Sequence, residues 1–289
     1  MKDFSGKGVV ITGGASGIGL GLAQAFAARG ARVVVADIDG DAAGVAAAAI
    51  VRDGGQAIGA ACDVSDRASV EALAQTTVAA FGRAHVICNN AGVAVSGALG
   101  TIRPKDWDWI FDVNLKGVIH GVETFLPLIR AHGEGGHVLN TASVGGFVAG
   151  PFAEPYAATK YAIVAMSEGW AAQLRGGDIG LSILCPHFVK TQIDQSERVR
   201  PGRFDAGGAR EENERSKIAS KAMQAGLPPE IVAARAIEGI EQDELYIFTH
   251  PTARAVVEAR FARILAAFDA TDRSQALSSI SEWPPFWPG

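Results

Sequence analysis

The stretch GVVITGGASGIG (Gly8–Gly19) joins a short apolar run to a glycine-rich turn and then to an Ala-rich helical pattern. Its first five residues are too few for a core helix and are typical of a buried strand. The glycines permit a tight turn and let the backbone approach a phosphate, which a helix N-terminus favours electrostatically. Although the spacing is Gly-x-x-x-Gly-x-Gly rather than G-x-G-x-x-G, this order predicts a dinucleotide-binding unit over a plain glycine-rich turn.

Short apolar runs continue to alternate with helical patterns along the chain, which predicts a parallel sheet covered on both faces. The predicted strands are Gly8–Thr12, Arg32–Asp37, Ala57–Cys62, His85–Cys88, His137–Thr141, Ile179–Cys185 and Leu245–Phe248. The predicted helices are Ile18–Arg29, Asp41–Asp53, Ser65–Phe81, Trp107–His132, Pro155–Arg175, Pro229–Glu241 and Thr252–Phe268. We expect an α/β, Rossmann-type, doubly wound sheet in a single domain over residues 1–289.

Composition narrows the class of protein. The chain has 289 residues, 48% of them hydrophobic, which favours a sizeable core. Its formal net charge of −5 argues against a nucleic-acid or membrane-surface partner. Its three cysteines and six histidines follow no metal-ligand spacing, so neither a metal site nor a disulfide framework is predicted. The N-terminus has no signal-peptide pattern, and no apolar run is long enough to cross a membrane. We expect a cytoplasmic protein.

An acidic residue stands at the end of the second predicted strand. Asp37 lies ~20 residues beyond the middle glycine of the turn, where a carboxylate receives the ribose hydroxyls of a dinucleotide. This carboxylate would repel a 2′-phosphate, and no Arg or Lys follows it in DIDG (Asp37–Gly40). The pattern predicts NAD rather than NADP.

Tyr156 and Lys160 stand four residues apart in a predicted helix, so their side chains share a face. An unperturbed phenol has a pKa of ~10, which is too high for a base at neutral pH. An ammonium ~4 Å away at an effective dielectric of ~20 favours the phenolate by ~4 kcal/mol, or up to about three pK units. The pair is a candidate acid/base unit. The alternative is an ordinary helix face with a half-buried ring and a solvated ammonium.

Several motifs follow one another in a characteristic order. They are TGGASGIG (Thr12–Gly19), CDV (Cys62–Val64), NNAG (Asn89–Gly92), DVNLKG (Asp112–Gly117), NTASVGG (Asn140–Gly146), YAATK (Tyr156–Lys160) and PHFVKT (Pro186–Thr191). In this order and spacing, the chain resembles the short-chain dehydrogenase/reductase family of the non-extended type. The resemblance implies an oxidoreductase that interconverts a secondary alcohol and a ketone with NAD.

The resemblance implies four catalytic residues, Asn114, Ser143, Tyr156 and Lys160. Tyr156 would exchange a proton with the substrate oxygen, to which Ser143 would also hydrogen-bond. Lys160 would lower the pKa of the phenol and bind the nicotinamide ribose, and Asn114 would hold a water that links Lys160 to solvent. Ser143 follows a predicted strand, which places it at the carboxyl end of the sheet, where such folds bind ligands.

The resemblance also implies a set of residues around the cofactor. Asp63 would contact the adenine, and Asn90–Gly92 would line the ribose side. Thr191 and the Val189 backbone would face the carboxamide of the nicotinamide. The complete implied set is Gly13, Ser16, Gly17, Ile18, Gly19, Asp37, Asp63, Val64, Asn90, Ala91, Gly92, Tyr156, Lys160, Pro186, Val189 and Thr191.

One position departs from the family pattern, because Pro186 is followed by His187 where Gly is usual. Histidine brings bulk and a titratable ring to a place where glycine offers backbone freedom. We expect His187 to point outward; the alternative is that it forms a pocket wall beside the substrate.

The substrate wall is expected from the segment after Ser143 and from residues 190–226. Its candidate residues are Phe147, Phe152, His187, Phe188 and Ile193. An apolar, aromatic-lined pocket suits a hydrophobic or aryl alcohol better than a sugar. The segments MKDF, NTASVGGF and LYIFTHP…EARF are also similar to bacterial Cα-dehydrogenases, which oxidise benzylic alcohols of lignin-derived aryl ethers. A steroid, polyketide or polyol substrate is the alternative, and a catalytically silent NAD-binding scaffold is the alternative class.

Three regions bear on the surface of the protein. Residues 190–226 form a long polar substrate loop whose charges are most simply solvated, although Arg198, Arg200 and Arg203 could meet an acidic group. The Trp107–His132 stretch has more apolar residues than one core face needs, which fits the homodimers or homotetramers common in the family. The Pro/aromatic tail, residues 270–289, is expected to be disordered or to cover a neighbouring subunit's pocket.

Overall fold

A computed structural model describes residues 1–205, 207, 220–280 and 282. Seven parallel strands form one sheet in the order β3-β2-β1-β4-β5-β6-β7. The strands are β1 Gly8–Thr12, β2 Arg32–Asp37, β3 Gln56–Ala61, β4 Val86–Asn89, β5 Gly136–Thr141, β6 Ile179–Cys185 and β7 Tyr246–Phe248. The prediction of a doubly wound parallel α/β sheet is confirmed.

Helices separate the strands. They are α1 Gly17–Ala27, α2 Gly40–Arg52, α3 Arg67–Phe81, α4 Pro104–Ile110, α5 Gly117–Ala131, α6 Glu154–Leu174, α7 Pro229–Glu241 and α8 Arg254–Asp272. Asp39 caps α2 by accepting the backbone N–H of Ala42 at 2.9 Å, and Asp66 caps α3 in the same way through Ala68. These caps satisfy backbone donors that the first turn of a helix cannot pair internally.

Side chains alternate along each strand between two apolar cores, one on each face of the sheet. Val10 and Ile87 lie in the core that includes α3, α5 and α6, whereas Val9 and Val86 lie in the core that includes α1, α2 and α7. The central strands are buried on both faces, which explains why their sequences show no polar alternation.

The predicted helix Trp107–His132 is present, although its hydrogen bonding is not uniform. A π-helical stretch, Phe111–Lys116, joins α4 to α5 within one run of helical residues, and Asn114 lies in this stretch, fully buried. Most of the apolar surplus on this stretch is core, because Trp109, Val113, Val118 and Phe125 are buried. These apolar residues are therefore weaker support for a subunit interface than the sequence pattern suggested. The oligomeric state stays a prediction.

The described chain divides into two compact units, Met1–Thr249 and His250–Gly289. The sheet and its covering helices up to α7 belong to the first unit, and α8 belongs to the second. Among the described residues, no helix is long and apolar enough to cross a membrane. Residues 206 and 208–219 of the predicted substrate loop, and residues 281 and 283–289 of the predicted tail, lie outside the described residues. The single-domain assignment stays a prediction.

A polar cluster occupies the amino-terminal edge of the sheet. The ligating atoms of His85, His132 and Glu134 lie within 4.8 Å of one another, as metal ligands can. Protein groups already bond all four ring nitrogens: Gly8 N–H and Glu134 contact His85, while Ala84 O and Glu134 N–H contact His132. The cluster therefore acts as a hydrogen-bond network that ties β1 to β4 and to the turn before β5.

Two buried imidazoles resist protonation. Burial lowers the pKa of His85 to about 4, with the nearby positive charge of Lys7 contributing, and burial lowers the pKa of His137 to about 3. The His137 ring contacts the Ser182 hydroxyl at 2.9 Å through Nε2, whereas its Nδ1 has no partner among the described residues. Protonating this ring would place a charge inside the sheet, where few groups can compensate it.

These shifts predict that stability falls as the pH is lowered. Between pH 6.5 and about 4, His85 and His137 bind protons in the unfolded chain but stay neutral in the folded chain. The free energy of unfolding therefore decreases with falling pH. Each group contributes a slope of up to ~1.4 kcal/mol per pH unit. Urea unfolding of the wild type and of His137→Asn at pH 7, 6 and 5 measures this slope. The variant should lose about half of it; an unchanged slope would rule out His137 as a source.

Candidate active site

Ser143 lies two residues beyond β5, at the carboxyl edge of the sheet. Its hydroxyl donates to the carbonyl of Pro186 at 3.2 Å and accepts the N–H of Gly145 at 2.9 Å. A Cβ on Gly145 would stand 3.3 Å from Ser143 Oγ and 3.4 Å from Tyr156 Cε1, so glycine leaves the serine and tyrosine side by side. The structure thus brings together two predicted catalytic residues that are thirteen positions apart.

Tyr156 lies in the first turn of α6, and its phenol is partly buried. Burial raises the pKa of this phenol above its ordinary value, and the hydrogen bond with Ser143 offsets only part of that rise. The expectation that Lys160 lowers the pKa of the phenol stays a prediction, because burial and Ser143 account for this shift. Lys160 Nζ lies 5.5 Å from the centre of the Tyr156 ring and donates its hydrogen bond to another group.

Lys160 is buried beneath the site without a carboxylate partner among its described hydrogen bonds. Its ammonium donates to the carbonyl of Thr141 at 2.8 Å. Burial lowers the pKa of Lys160 to about 8, with only a small opposing contribution from Cys185. A Cβ on Gly92 would stand 3.7 Å from Lys160 Nζ, so the NNAG segment passes directly over the ammonium.

Asn114 fastens two segments of the site together. Its Oδ1 accepts the N–H of Val93 at 2.8 Å, and its Nδ2 donates to Val93 O at 2.9 Å and to Thr159 Oγ1 at 3.2 Å. Thr159 in turn donates to the carbonyl of Tyr156 at 2.8 Å. Protein groups therefore occupy the side-chain carboxamide of Asn114. That Asn114 holds a water linking Lys160 to solvent stays a prediction, now for its backbone atoms.

The glycine turn leaves no room for side chains. Gly13 and Gly17 have positive φ angles of 62° and 53°, and a Cβ on Gly19 would stand 2.0 Å from the carbonyl oxygen of Gly13. Within the described chain, Ser16 makes no capping bond to α1, and the first turn of α1 holds no acidic residue. Its backbone N–H groups are therefore open to an anion, and the turn fits a pyrophosphate.

Asp37 ends β2 beside this turn. Its carboxylate accepts the N–H of Ala15 at 3.1 Å and the N–H of Asp39 at 3.2 Å. Asn90 ties the opposite side of the turn, because its Nδ2 donates to Thr12 O at 3.0 Å and Gly13 O at 3.3 Å. The predicted ribose residues thus hold the turn in shape with their own hydrogen bonds.

Asp63 and Val64 follow β3, but their side chains are committed to the protein. The Val64 side chain packs against Gly117, where an added Cβ would stand only 2.8 Å from it. The Val64 carbonyl contacts His120 Nδ1 at 2.9 Å. The Asp63 carboxylate accepts the N–H and the hydroxyl of Ser65, at 3.0 and 2.5 Å, and a guanidinium of Arg203 at 2.5 Å. The sequence did not reveal these partners, and the contact of Asp63 with the adenine stays a prediction.

The PHFVKT segment closes the site from the side of β6. The Thr191 methyl group would stand 2.9 Å from a Cβ on Gly17, so this segment meets the glycine turn. Val189 is buried and pairs with Leu227 in an isolated parallel bridge. Pro186 is also buried, and its carbonyl accepts both Ser143 Oγ and the N–H of Val144.

Two aromatic residues come from the segment after Ser143. The Phe147 ring contacts Tyr246 and Phe248 of the edge strand, with ring centres 5.9 and 5.2 Å apart. Phe152 has a positive φ of 73°, which L-residues rarely adopt. Two hydrogen bonds hold it there, from Gly97 N–H to Phe152 O at 2.9 Å and from Phe152 N–H to Glu154 at 3.1 Å. Backbone strain of this kind is commonest at functional sites.

His187 and Phe188 are exposed, and their rings lie against each other with centres 4.3 Å apart. His187 Nδ1 accepts the N–H of Phe188 at 2.8 Å, which fixes the ring close to its own backbone. Exposure of His187 agrees with the expectation that it points outward. Ile193 begins the next short helix, and its carbonyl accepts the hydroxyl of Ser196 at 2.6 Å.

The sequence pattern missed Thr12 as a residue that shapes the site, and it named Arg200 and Arg203 without their acidic partners. Thr12 accepts the backbone N–H groups of Asn90 and Ala91, at 3.0 and 3.1 Å, and its place in the TGGASGIG motif is a signal that could have identified it. Arg200 and Arg203 of the substrate loop pair with Asp106 and Asp63. Because these partners lie roughly a hundred residues away, no local pattern reveals them.

Residues 7–201 match the short chain dehydrogenase family. A C alpha-dehydrogenase from a Sphingobium strain is 37% identical, over 98% of this chain and 95% of the relative. A CLA biosynthesis dehydrogenase/reductase from Lactiplantibacillus plantarum is 31% identical, over 92% of this chain and 95% of the relative. The crystal structure of a short chain dehydrogenase/reductase from Burkholderia phymatum in complex with NAD has a TM-score of 0.90 and 38% identity, covering 92% of this chain and 97% of that one.

The steric limit at the glycine turn predicts a specific loss of stability. Ala at position 13 would place its Cβ 2.8 Å from Ala91 Cα, whereas Ala at position 54, also with positive φ, would contact nothing within 4 Å. Both substitutions should cost about 1–2 kcal/mol for the left-handed backbone, and Gly13→Ala should lose a further 1–3 kcal/mol from overpacking. Thermal and urea unfolding of Gly13→Ala and of the matched control Gly54→Ala measure the difference. Equal losses would contradict the described packing.

Proposed function

The chain belongs to the short chain dehydrogenase family, and from that premise we propose that it is an NAD-dependent oxidoreductase that interconverts a secondary alcohol and a ketone. One observation carries the proposal. The hydroxyl of Ser143, the phenol of Tyr156 and the ammonium of Lys160 converge at the carboxyl edge of the sheet, beside the glycine turn. This arrangement offers a proton donor, an oxyanion partner and a buried cation in one place.

The cofactor site fits NAD on the geometry of the turn. When bound, oxidised NAD would supply a positively charged nicotinamide ring, which becomes neutral on receiving the hydride of the substrate carbon. The first turn of α1 would bind the pyrophosphate, and Asp37 would bind the adenosine ribose. Thr191, packed against Gly17, would stand near the nicotinamide end. The carboxylate of Asp37 favours NAD over NADP because it would repel a 2′-phosphate.

Tyr156 is proposed to move the proton. In oxidation the phenolate takes the hydroxyl proton of the alcohol, and in reduction the phenol returns it. Because burial raises the pKa of the phenol, formation of the phenolate needs a positive charge near it. Ser143 would turn its hydroxyl from the Pro186 carbonyl towards the substrate oxygen and stabilise the negative charge that develops there.

Lys160 is proposed to supply part of that positive charge. With a pKa of about 8, most of its ammonium stays protonated at neutral pH. Its bond to the Thr141 carbonyl fixes the charge beneath the ring of Tyr156. The same ammonium would reach a ribose hydroxyl of the cofactor, since Gly92 leaves the space above it free of a side chain.

The proposed substrate is a hydrophobic or aryl alcohol, with a benzylic secondary alcohol as the leading class. Phe152, held in a strained backbone, and the exposed ring of Phe188 supply aromatic surface from the two segments expected to line the pocket. The similarity to a C alpha-dehydrogenase supports the same class. A cytoplasmic homodimer or homotetramer completes the proposal.

Replacing Tyr156 by Phe tests the acid/base role. The substitution removes only the hydroxyl, so turnover should fall by about 10²- to 10⁴-fold while NADH still binds. Tyr161→Phe, on the same helix, is the matched control and should keep wild-type turnover. Steady-state rates and NADH fluorescence titration separate chemistry from binding. Wild-type turnover in Tyr156→Phe would exclude the role, and wild-type protein that binds NADH but converts no alcohol would indicate a scaffold.

A substrate panel tests the proposed class. Benzylic alcohols, including β-aryl-ether alcohols, should give the highest kcat/KM, ahead of steroids and polyols, because the expected pocket walls are apolar and aromatic. Each compound is followed by NADH absorbance with NAD and in parallel with NADP. Faster turnover of a steroid or a polyol would overturn the substrate class, and a higher kcat/KM with NADP would overturn the cofactor preference.

A further inference from the structure

The first part of the substrate loop is fastened to the body of the protein at three points. Ser196 Oγ accepts the N–H of Ala94 at 3.0 Å. Arg200 pairs with Asp106 at 2.8 Å and covers the Trp109 ring, whose centre is 4.0 Å from the guanidinium carbon. Arg203 reaches Asp63 at 2.5 Å. The charges of this segment are therefore internal contacts rather than a uniformly solvated face.

These three contacts differ in burial. The side chains of Arg200 and Asp106 are 7% and 1% exposed, so their pair is a permanent part of the structure. Arg203 is 50% exposed and Asp63 is 19% exposed, so the pair is partly accessible to an incoming molecule. The Phe204 ring, whose centre is 4.7 Å from the Arg203 guanidinium carbon, covers one side of that group and leaves the exposed side for a ligand. Only the outermost of the three contacts has a side chain positioned to meet a ligand from solvent.

The position of Arg203 is nevertheless well defined. The next residue, Phe204, is buried in the apolar core, and the carbonyl of Arg203 accepts Lys105 Nζ at 2.5 Å. One guanidinium nitrogen of Arg203 donates to Asp63 Oδ2 at 2.5 Å and to Ser65 Oγ at 2.6 Å. The guanidinium thus lies at a fixed place beside the end of β3.

That place is far from the nicotinamide end of the proposed site. Strand β3 carries Asp63 just beyond its carboxyl end and neighbours β2, which ends in Asp37. From β3 to β5, which precedes Ser143, there are four strand spacings, or about 19 Å. The loop begins near Gly17 at Thr191 and reaches Asp63 at Arg203, so it runs from the middle of the proposed dinucleotide site to its adenosine end.

We propose that Arg203 is a cofactor-binding residue that forms the outer wall of the adenine pocket, held in place by Asp63 and Ser65. This inference rests on the proposed NAD-dependent function. A planar guanidinium binds the face of an aromatic ring, and adenine presents such a face. Asp63 then serves the adenine through Arg203, because its carboxylate already holds Ser65 and the guanidinium. The substrate loop would in this way contact the cofactor directly.

Calorimetric titration of the full-length protein with NADH, AMP and nicotinamide mononucleotide tests the proposal. Arg203→Ala should weaken NADH and AMP by about tenfold each and leave nicotinamide mononucleotide unchanged. Arg203→Lys keeps a cation for Asp63 but loses the planar group, so it should weaken AMP almost as much. Arg198→Ala, an exposed arginine of the same loop, is the matched control and should bind all three ligands like the wild type.

Each result has a distinct meaning. Wild-type AMP affinity in Arg203→Ala, or full rescue by Arg203→Lys, would overturn the proposal that Arg203 forms a wall of the adenine pocket. The contact of Arg203 with Asp63 would then have a structural role only. Loss of NADPH affinity alone, in a parallel titration, would assign Arg203 to a 2′-phosphate and overturn the adenine role. If the wild type binds neither NADH nor NADPH, the proposed function itself fails and the inference falls with it. An unchanged thermal midpoint shows that each variant is folded.

Discussion

All seven strands of the sheet run parallel, so their carboxyl ends open on one edge, and every chemically active group described above depends on that constraint. Ser143 follows β5, Asp37 ends β2, and Asp63 follows β3. Residues that are far apart in the chain become neighbours because a parallel strand must return through a helix before the next strand begins. The opposite edge holds the His85 cluster, whose hydrogen bonds stabilise the sheet without facing this site.

Burial acts on the two central ionisable groups in opposite directions. It raises the pKa of Tyr156 and lowers the pKa of Lys160, because in each case it disfavours the charged form. The phenol therefore stays neutral up to a higher pH, and the amine becomes neutral at a lower pH, than the same side chains in water. Such a site responds strongly to any charge that a ligand brings, since a buried charge is poorly screened. In the proposed reaction, proton transfer would therefore be coupled to occupation of the cofactor site.

The substrate loop shows how charged residues can form a wall. Arg200 lies over Trp109 and pairs with Asp106, which also accepts hydrogen bonds from Arg103. This buried group of charges costs desolvation energy, and the several hydrogen bonds within it offset that cost. Its benefit is a fixed loop backbone. The exposed Arg203 can then occupy a constant position at the rim of the site.

The sequence alone determined the sheet, the glycine turn and the order of the proposed catalytic residues, because short apolar runs, glycine spacing and the Tyr156–Lys160 interval are local properties. It also indicated the exposed position of His187. Three features were decided only by tertiary structure. The helix at Asn114 becomes π-helical, the pKa of the Tyr156 phenol depends on burial and on the hydrogen bond with Ser143, and Arg203 contacts Asp63, 140 residues away. Each depends on contacts between distant segments, and a charge pattern cannot show which distant acid an arginine will meet.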